Sequence, residues 1–353
     1  MLRTSPMTRR QSLGGIATLL AAPALGQGYA GLGTEAAEFA QVLPETRLSF
    51  PADHGPHPDF RIEWWYITAN LVADDEPMGL QWTLFRQARA PSGSDEGWAS
   101  RQTWMGHAAV TTRTSHHVAE AFARGGIGQA GVELPPFRAW LDDWRLESPD
   151  SNIDELTLSA SGDRFSYTVA LKAQGPLVLQ GVDGYSVKSE QGQASHYYSQ
   201  PHYGLDGTLT LDGVDRSVTG RAWLDREWSS QPLSEDQTGW DWFALHLDTG
   251  EKLMAYRLRG AGSLTTGAWI ARDGTSRVLP PDEMQFTPLH VHRTAGRDVP
   301  VDWRLIWPEQ SLEIDVRALN RDSYMPTVFP YWEGPVTFSG THSGIGYLEM
   351  TGY

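Results

Sequence analysis

Residues 50–71 read FPADHGPHPDFRIEWWYITANL, and the rest of the chain is interpreted from this stretch. A polar loop that carries two histidines leads directly into three consecutive aromatic residues, Trp64, Trp65 and Tyr66. Because side chains alternate between the two faces of a β-strand, we expect Glu63 and Trp65 on one face and Trp64 and Tyr66 on the other. Whichever face is the core, this strand buries large rings and holds a carboxylate beside a tryptophan.

The composition favours an all-β protein. The 353 residues include 15 Trp, 12 Tyr and 11 Phe, and 36 Gly and 22 Pro interrupt the chain often, which is typical of short strands joined by tight turns. A formal net charge of −15 argues against nucleic acid and anionic membrane surfaces as partners. The sequence has no cysteine, which excludes disulfides, thiolate nucleophiles and Cys-ligated metals.

The first 26 residues have the pattern of an export signal. The twin-arginine pair Arg9 and Arg10 precedes the apolar run 14–25, and small residues follow at the end of that run. The run is too short to span a bilayer permanently. We therefore predict a twin-arginine signal over residues 1–26, cleaved near residues 24–26. The mature protein is then expected in the periplasm and not as an integral membrane protein.

A second pattern indicates an internal duplication, because five segments of the second half echo five of the first half in the same order. The pairs are 240–243 with 64–66, 266–270 with 104–110, 302–305 with 143–146, 331–332 with 197–198, and 346–349 with 221–225. The repeat predicts two tandem antiparallel β units, either barrels or sandwiches.

The boundaries of the units follow from the polar stretch near residue 230. We predict an N-terminal domain over residues 48–230 and a C-terminal domain over residues 231–353. Residues 27–47 are expected to be a flexible lead-in, with a short helix over 35–42.

Charged residues at the end of an apolar strand form the first candidate site. The segment LDREW places Asp225, Arg226 and Glu227 directly before Trp228. These charges either surround a ligand at a barrel mouth or form an ion pair that closes one barrel against the other.

Histidines form the remaining candidates. His196 and Tyr198 share one face of a predicted strand, where the histidine is either functional or simply buried and hydrogen-bonded. His107 lies in the middle of a strand, either facing a barrel lumen or packed. His54 and His57 could bind a metal with a neighbouring aspartate, but histidines of proline-rich loops usually do not. We therefore predict no metal and no other cofactor.

Four motifs resemble one known family. The opening stretch, HYYS at 196–199, WLDREW at 223–228 and GYLEMTGY at 346–353 are similar to the AttH-like and carotenoid 1,2-hydratase family, also called hydroxyneurosporene synthase-like. The resemblance runs from residue 48 to the C-terminus. It implies two lipocalin-like antiparallel β-barrels in tandem. It also implies relatives that add water to a terminal C=C bond of acyclic carotenoids.

The resemblance further implies roles for individual residues. Asp225 would be the acid that protonates the alkene, and His196 would be its partner or would orient the water. The residues expected around the ligand are Glu63, Trp64, Trp65, Tyr66, His107, Tyr197, Tyr198, Arg226, Glu227, Trp228, Trp240 and Trp242.

Protonation of an alkene sets a condition on Asp225. A carboxyl group can act as this acid only if an apolar site raises its pKa. Arg226 would lower that pKa if the two side chains paired, but neighbouring residues of a regular strand project from opposite faces.

Three functions remain open at this point. The first is a carrier of an elongated apolar ligand, such as an isoprenoid, a carotenoid or a lipid. The second is a hydratase, a carbon–oxygen lyase, acting on such a ligand. The third is an accessory of an envelope transporter that uses the barrels as a docking surface. An apolar cavity that reaches Asp225 favours the first two, and a first barrel filled with side chains favours the third.

Overall fold

The computed structural model describes residues 29–34, 36–261 and 263–353, so the predicted export signal lies outside the described residues. Within them, helical structure is limited to 3₁₀ turns at Tyr29–Gly31, Ala52–His54, Gly97–Ala99 and Pro308–Gln310. The strands are β1 (Ile62–Ala73), β2 (Glu76–Ala88), β3 (Gln102–Thr111), β4 (His116–Arg124), β5 (Ala130–Glu133), β6 (Arg138–Leu141), β7 (Trp144–Glu147), β8 (Glu155–Ser161), β9 (Phe165–Ala173), β10 (Val178–Leu179), β11 (Tyr185–Val187), β12 (Ala194–Leu211), β13 (Val214–Ser229), β14 (Gly239–Leu247), β15 (Lys252–Arg259), β16 (Leu264–Ile270), β17 (Ser276–Leu279), β18 (Gln285–Thr294), β19 (Arg297–Trp307), β20 (Leu312–Ala318), β21 (Tyr324–Met325), β22 (Tyr331–Gly340) and β23 (Gly344–Thr351). The predicted all-β class is confirmed.

The strands form two antiparallel sheets. The first follows the order β4-β3-β2-β1-β13-β12-β9-β8-β7-β6-β5, with β10 and β11 added at β12. Its ends approach each other where β4 contacts β6, so it is a nearly closed barrel. The second sheet follows β17-β16-β15-β14-β23-β22-β20-β19-β18 and forms a half-barrel. The predicted pair of lipocalin-like antiparallel units is thus confirmed, and the second unit is less closed than the first.

The two sheet orders correspond strand by strand around their first members. In the first sheet β1 lies between β2 and β13, and in the second β14 lies between β15 and β23. Four of the five sequence echoes fall on corresponding strands. The echo between 302–305 and 143–146 joins β19 to β7, whereas β19 corresponds to β8 in sheet order.

A short turn sets the register at the centre of the first sheet. Asp212 and Gly213 join β12 to β13, and both have positive φ, +53° and +78°. Two consecutive left-handed residues make a type I′ turn, whose twist matches the flanking strands. The hairpin pairs Leu211 with Val214 and extends inward to bring Ser199 opposite Asp225.

The first barrel is filled with side chains. Its core includes Trp65, Trp82, Leu84, Trp228 and many aliphatic residues of the surrounding strands. A second apolar layer lies outside this barrel, between the two sheets, where Tyr66, Trp223, Trp242 and Tyr256 pack together. β1 is therefore buried on both faces, which explains its near-continuous apolar sequence.

Tyr29, in the lead-in, is hydrogen-bonded to two later segments of the chain. The backbone N–H of Tyr29 donates to Gln237 at 3.1 Å, and the Tyr29 hydroxyl donates to the carbonyl of Pro330 at 2.8 Å. Residues 36–42, where we expected a short helix, are irregular because their backbone groups pair with other segments, such as Ala40 with Asp59.

Candidate functional site

The alternation of β1 divides the predicted site residues between two faces of the first sheet. Tyr66 lies opposite Asp225 on β13, and Trp65 lies opposite Arg226. Paired residues of an antiparallel ladder share a face. Asp225 and Arg226 therefore project in opposite directions, as the strand pattern predicted.

The inward face carries a buried charge network. Glu63 accepts hydrogen bonds from both Arg86 and Arg226, and all three side chains are almost completely buried. Burial alone would raise the pKa of Glu63, but the two guanidinium groups outweigh it and hold this pKa below its usual range. The guanidinium of Arg226 also lies 3.7 Å from the centroid of the Trp65 ring. This network belongs to the inward face of the first sheet and is separate from the outward face.

The loop histidines join this network. His57 stacks on Trp228 with ring centroids 3.9 Å apart, and its ring nitrogens contact Glu63 and Asp53 at 3.2 Å. His54 Nδ1 lies 2.7 Å from the hydroxyl of Tyr198. No group of three or more His, Asp or Glu side chains that could hold a metal ion occurs in the described part of the chain.

His196 also belongs to the inward face. It lies opposite Trp228 in the β12–β13 ladder, and its ring packs on Phe60 and Trp228 at 5.9 and 5.4 Å. Burial, together with His57, lowers the pKa of His196 to about 4. The predicted pairing of His196 with Asp225 is therefore wrong, because Trp228, which lies opposite His196, is three positions from Asp225 and an odd number of positions reverses the face.

The outward face borders a cavity of about 270 Å³ between the two sheets. Most of its wall is apolar, and the strands β1, β2, β3, β12 and β13 contribute one side while β14, β15, β22 and β23 contribute the other. Its lining includes Tyr29, Trp64, Tyr66, Phe85, His107, Phe122, Lys188, Tyr197, Asp225, Glu227, Trp240, Trp242, Tyr256, Phe329, Tyr331 and Glu349. The site thus lies outside the first barrel and not at its rim, because the second sheet covers this face.

Asp225 is the cavity acid with the most hydrogen bonds to its carboxylate. It accepts hydrogen bonds from the Tyr197 hydroxyl at 2.6 Å, the Ser199 hydroxyl at 2.5 Å and Trp223 Nε1 at 2.7 Å. Its side chain is 3% exposed. Burial raises the pKa of Asp225 to about 7, although these hydrogen bonds favour the anion. The group can therefore hold or release a proton near neutral pH.

Glu227 lies two residues further along β13 and is neutralised by a cation. Its carboxylate lies 2.9 Å from Lys188 Nζ and accepts a hydrogen bond from Ser195. The Lys188 ammonium also lies 4.9 and 4.5 Å from the ring centroids of Tyr197 and Tyr256. The rings of this cavity thus already stabilise one positive charge.

Glu349 is a second acid that the sequence reasoning missed. It projects from β23 into the cavity, where its Oε1 accepts a hydrogen bond from Trp240 Nε1 at 2.6 Å. Burial raises the pKa of Glu349 to about 7, against the hydrogen bond from Trp240, and the charge of Asp225 adds to the increase.

Glu333 lies directly opposite Glu349 in the β22–β23 ladder. It is fully buried and accepts a hydrogen bond from Tyr66 at 2.7 Å. Burial, followed by the charge of Glu349, raises the pKa of Glu333 well above its usual range. Two carboxyl groups held opposite each other in a dry interface cannot both ionise at neutral pH without a large penalty.

The acids are related by the duplication. Asp225 lies opposite Ser199 and Glu349 lies opposite Glu333, so the two pairs occupy equivalent places on the two sheets. The strand echo between 221–225 and 346–349 contained this signal, because both segments end in an acid. It aligns Asp225 with Glu349, which would have identified the second acid from sequence alone.

His107 connects the two sheets at one side of the cavity. Its Nδ1 lies 2.9 Å from the hydroxyl of Tyr331, and its Nε2 lies 3.2 Å from Glu120 Oε1. Burial lowers the pKa of His107, although Glu120 opposes the change. His107 is thus a cavity-lining residue that also holds the sheets together.

The fourteen predicted site residues fall into two groups, one on each face of the first sheet or across the cavity from it. Asp225, Glu227, Trp64, Tyr66, His107, Tyr197, Trp240 and Trp242 line the cavity. Glu63, Trp65, His196, Tyr198, Arg226 and Trp228 belong to the inward face of the first sheet. The first group combines an aromatic wall with Asp225, whose pKa is raised by burial, and this combination suits proton transfer to an apolar molecule.

Comparison with known proteins agrees with this architecture. A family model described as AttH-like matches residues 41–353. The crystal structure of a protein assigned to AttH, from Nitrosomonas europaea, is 34% identical with a TM-score of 0.80, and the alignment covers 89% of this chain and 99% of that one. Kievitone hydratase from Nectria haematococca is 16% identical with a TM-score of 0.68, covering 89% of this chain and 95% of that one, and this likeness shows the fold alone. A comparison with curated proteins returned no match.

The family assignment rests on the length of these matches. The AttH-like model spans nearly all of the residues that form the two sheets, including every cavity acid. The Nitrosomonas europaea protein aligns over almost its entire length. The chain therefore belongs to the AttH-like family.

Proposed function

We propose that this protein binds an elongated apolar molecule, such as an isoprenoid, a carotenoid or a lipid, in the cavity between its two sheets and adds water to a C=C bond of that molecule. The observation that carries the proposal is an aromatic-walled cavity into which Asp225, an acid with a pKa of about 7, projects. Binding sites for apolar ligands combine such walls with a few placed polar groups.

The chemistry follows from the groups around Asp225. The protonated carboxyl transfers its proton to one alkene carbon, which leaves a tertiary carbocation on the other. The faces of aromatic rings such as Trp64 and Trp242 stabilise this charge. A water molecule attacks the cation, and the proton that it loses returns to the Asp225 carboxylate, so alkene and water give one alcohol. Tyr197 and Ser199 hold the carboxyl in place throughout.

One relative supports the hydration step. Kievitone hydratase has the same fold, and its name describes the addition of water. The shared architecture provides an inter-sheet face on which such an acid can be buried. This support extends to the reaction class and not to the substrate.

A carrier without catalysis is the second candidate, because the same cavity binds apolar molecules whether or not a proton is transferred. The filled first barrel excludes its interior as the ligand site within the described residues. A filled barrel favours the docking role for an envelope transporter, whereas the apolar cavity that Asp225 lines favours the binding of a ligand. We give the cavity more weight, because about 270 Å³ of open space between the sheets is itself a place for a ligand.

The ligand is tested first by mass spectrometry of apolar material extracted from protein purified out of its own host. Turnover is then tested with geraniol and farnesol in water labelled with heavy oxygen, where a product heavier by one water is expected. The Asp225→Asn variant is expected to lose that product and still bind the neutral probe N-phenyl-1-naphthylamine. Unchanged turnover in this variant refutes Asp225 as the acid, and probe binding without turnover in the wild type supports the carrier.

Export remains part of the proposal. Residues 1–26 carry the twin-arginine pair, and no helix in the described residues is long and apolar enough to cross a membrane. We expect the mature protein in the periplasm with an N-terminus near residues 24–26. Cell fractionation and N-terminal sequencing test this, and replacement of both Arg9 and Arg10 by Lys is expected to retain the precursor in the cytoplasm.

A further inference from the structure

The cavity contains more negative than positive groups. Three carboxyl groups line it, from Asp225, Glu227 and Glu349, and Glu333 lies opposite Glu349 in the β22–β23 ladder. Lys188 is the one ammonium group among the lining residues that the structure describes, and it pairs with Glu227. After this pair is set aside, the remaining carboxyl groups have no cation in the cavity lining to balance them.

Besides the carboxyl groups, the cavity has an aromatic wall, which is the second feature that favours the binding of a cation. Trp64, Tyr66, Trp240, Trp242 and Tyr256 surround the acids with aromatic rings. Such rings attract a positive charge within about 6 Å of their centroids, and most strongly where water is excluded. Lys188 already uses two tyrosine rings of this wall in that way.

We propose that the cavity selects an apolar ligand that carries a single positive charge. The ligand class is a hydrophobic amine or quaternary ammonium compound, whose charge would lie between Asp225 and Glu349 and against the aromatic wall. This inference rests on the proposed function, because a tertiary carbocation formed during hydration carries the same single positive charge on a branched apolar centre and would use the same groups.

The protonation of the carboxyl groups in the cavity predicts how the affinity for a cation depends on pH. The charged and titratable groups that line the cavity are Asp225 and Glu227 from β13, Tyr66 from β1, Tyr197 from β12, His107 from β3, Lys188 between β11 and β12, Tyr256 from β15, Tyr331 from β22, Glu349 from β23 and Tyr29 from the lead-in. Glu333 does not line the cavity but lies opposite Glu349 in the β22–β23 ladder. Asp225 and Glu349, with a pKa of about 7 each, are protonated below that pH and anionic above it. Affinity for a permanent cation should therefore rise between about pH 6 and pH 8, with release of protons on binding at neutral pH.

A pair of isosteric probes tests the proposal without knowledge of the natural ligand. Benzyltrimethylammonium and neopentylbenzene differ only in a positively charged nitrogen or a neutral carbon at the branch point. Each is titrated against the complex of the protein with N-phenyl-1-naphthylamine, and its displacement of that probe is followed by fluorescence. We expect the cation to bind at least ~10-fold more tightly at about pH 8, from its contacts with the rings and the carboxylates.

The outcomes separate this inference from the proposed function. Equal affinity of the two probes, or a preference for the neutral one, refutes the selection of a cation and leaves apolar binding intact. Failure of both probes and of N-phenyl-1-naphthylamine to bind refutes the proposed function itself. A preference for the cation that does not increase with pH refutes the roles of Asp225 and Glu349, because their ionisation is what should produce the increase.

A variant assigns the preference to one acid. Glu349→Gln keeps the shape of the side chain but removes its charge, so the preference should fall several-fold while neopentylbenzene still binds. Glu313→Gln removes one exposed carboxylate from β20, away from the cavity lining, and serves as the control for net charge. An equal fall in both variants would refute a local role for Glu349. The wild-type comparison stands on its own if Glu349→Gln does not fold.

Discussion

Replacement of Asp225 by Asn should change how the stability of the protein depends on pH. In the folded state, burial raises the pKa of Asp225 from its ordinary value of 3.8 to about 7. The folded protein therefore holds a proton that the unfolded chain has already released between these values. The contribution of Asp225 to the free energy of unfolding is fully present below its unfolded pKa, and it is lost as the pH rises towards its folded pKa.

The magnitude follows from the size of the shift. Each pKa unit corresponds to about 1.4 kcal/mol, so the two units between about pH 5 and the folded pKa of about 7 remove roughly 3 kcal/mol of unfolding free energy by about pH 8. Asn cannot ionise, so the variant lacks this loss. Its amide also fits the donors of Tyr197 and Ser199 less well, which lowers stability by an amount that does not vary with pH.

Urea denaturation at several pH values measures the difference directly. We expect the free energy of unfolding of the wild type, minus that of Asp225→Asn, to decrease by roughly 3 kcal/mol from about pH 5 to about pH 8. Asp206→Asn removes an exposed carboxylate from β12 and controls for the loss of one charge. A difference that stays constant across this range would mean that Asp225 is ionised throughout, and the acid role would then be wrong.

Two further predictions concern structure rather than chemistry. Glu63→Gln leaves the Arg86 and Arg226 guanidinium groups buried without a full counter-charge, so the free energy of unfolding in urea should fall by about 3–5 kcal/mol. A loss under ~1 kcal/mol would show that this network is not a buried ionic contact. Gly79→Ala would place a Cβ 2.6 Å from Pro335 of the second sheet and should lower the melting temperature by forcing the sheets apart. An unchanged melting temperature would refute the close contact of the sheets at this point.

The sequence predicted those features that depend on neighbours along the chain. The alternation after Glu63 placed Trp64 and Trp65 on opposite faces, and the register of β1 with β13 agrees. The duplication predicted two related sheets, because an antiparallel unit that repeats its sequence repeats its strand order. These features are local, or are copied from one half of the chain to the other.

The location of the site could not be predicted in the same way. The alternation of side chains shows that β1 has two faces, but it does not show which face meets a second sheet. Both faces of β1 are buried, so the usual contrast between apolar and polar positions is absent from its sequence. Asp225 was therefore placed at a barrel rim and paired with His196. The structure instead places Asp225 on the face that meets the second sheet, where Trp242 and Glu349 line the same cavity, and this arrangement depends on how the two sheets dock.

The duplication itself explains why the cavity is acidic. Asp225 and Glu349 occupy equivalent strand positions, and the same is true of Ser199 and Glu333. On a single sheet with a solvated outer face, such a carboxyl would be hydrated and its pKa would not be raised by burial. When the two equivalent faces cover each other, water is excluded from both acids at once. The raised pKa values then belong to the contact between the sheets, so a mutation that loosens this contact should lower both values together, without touching either acid.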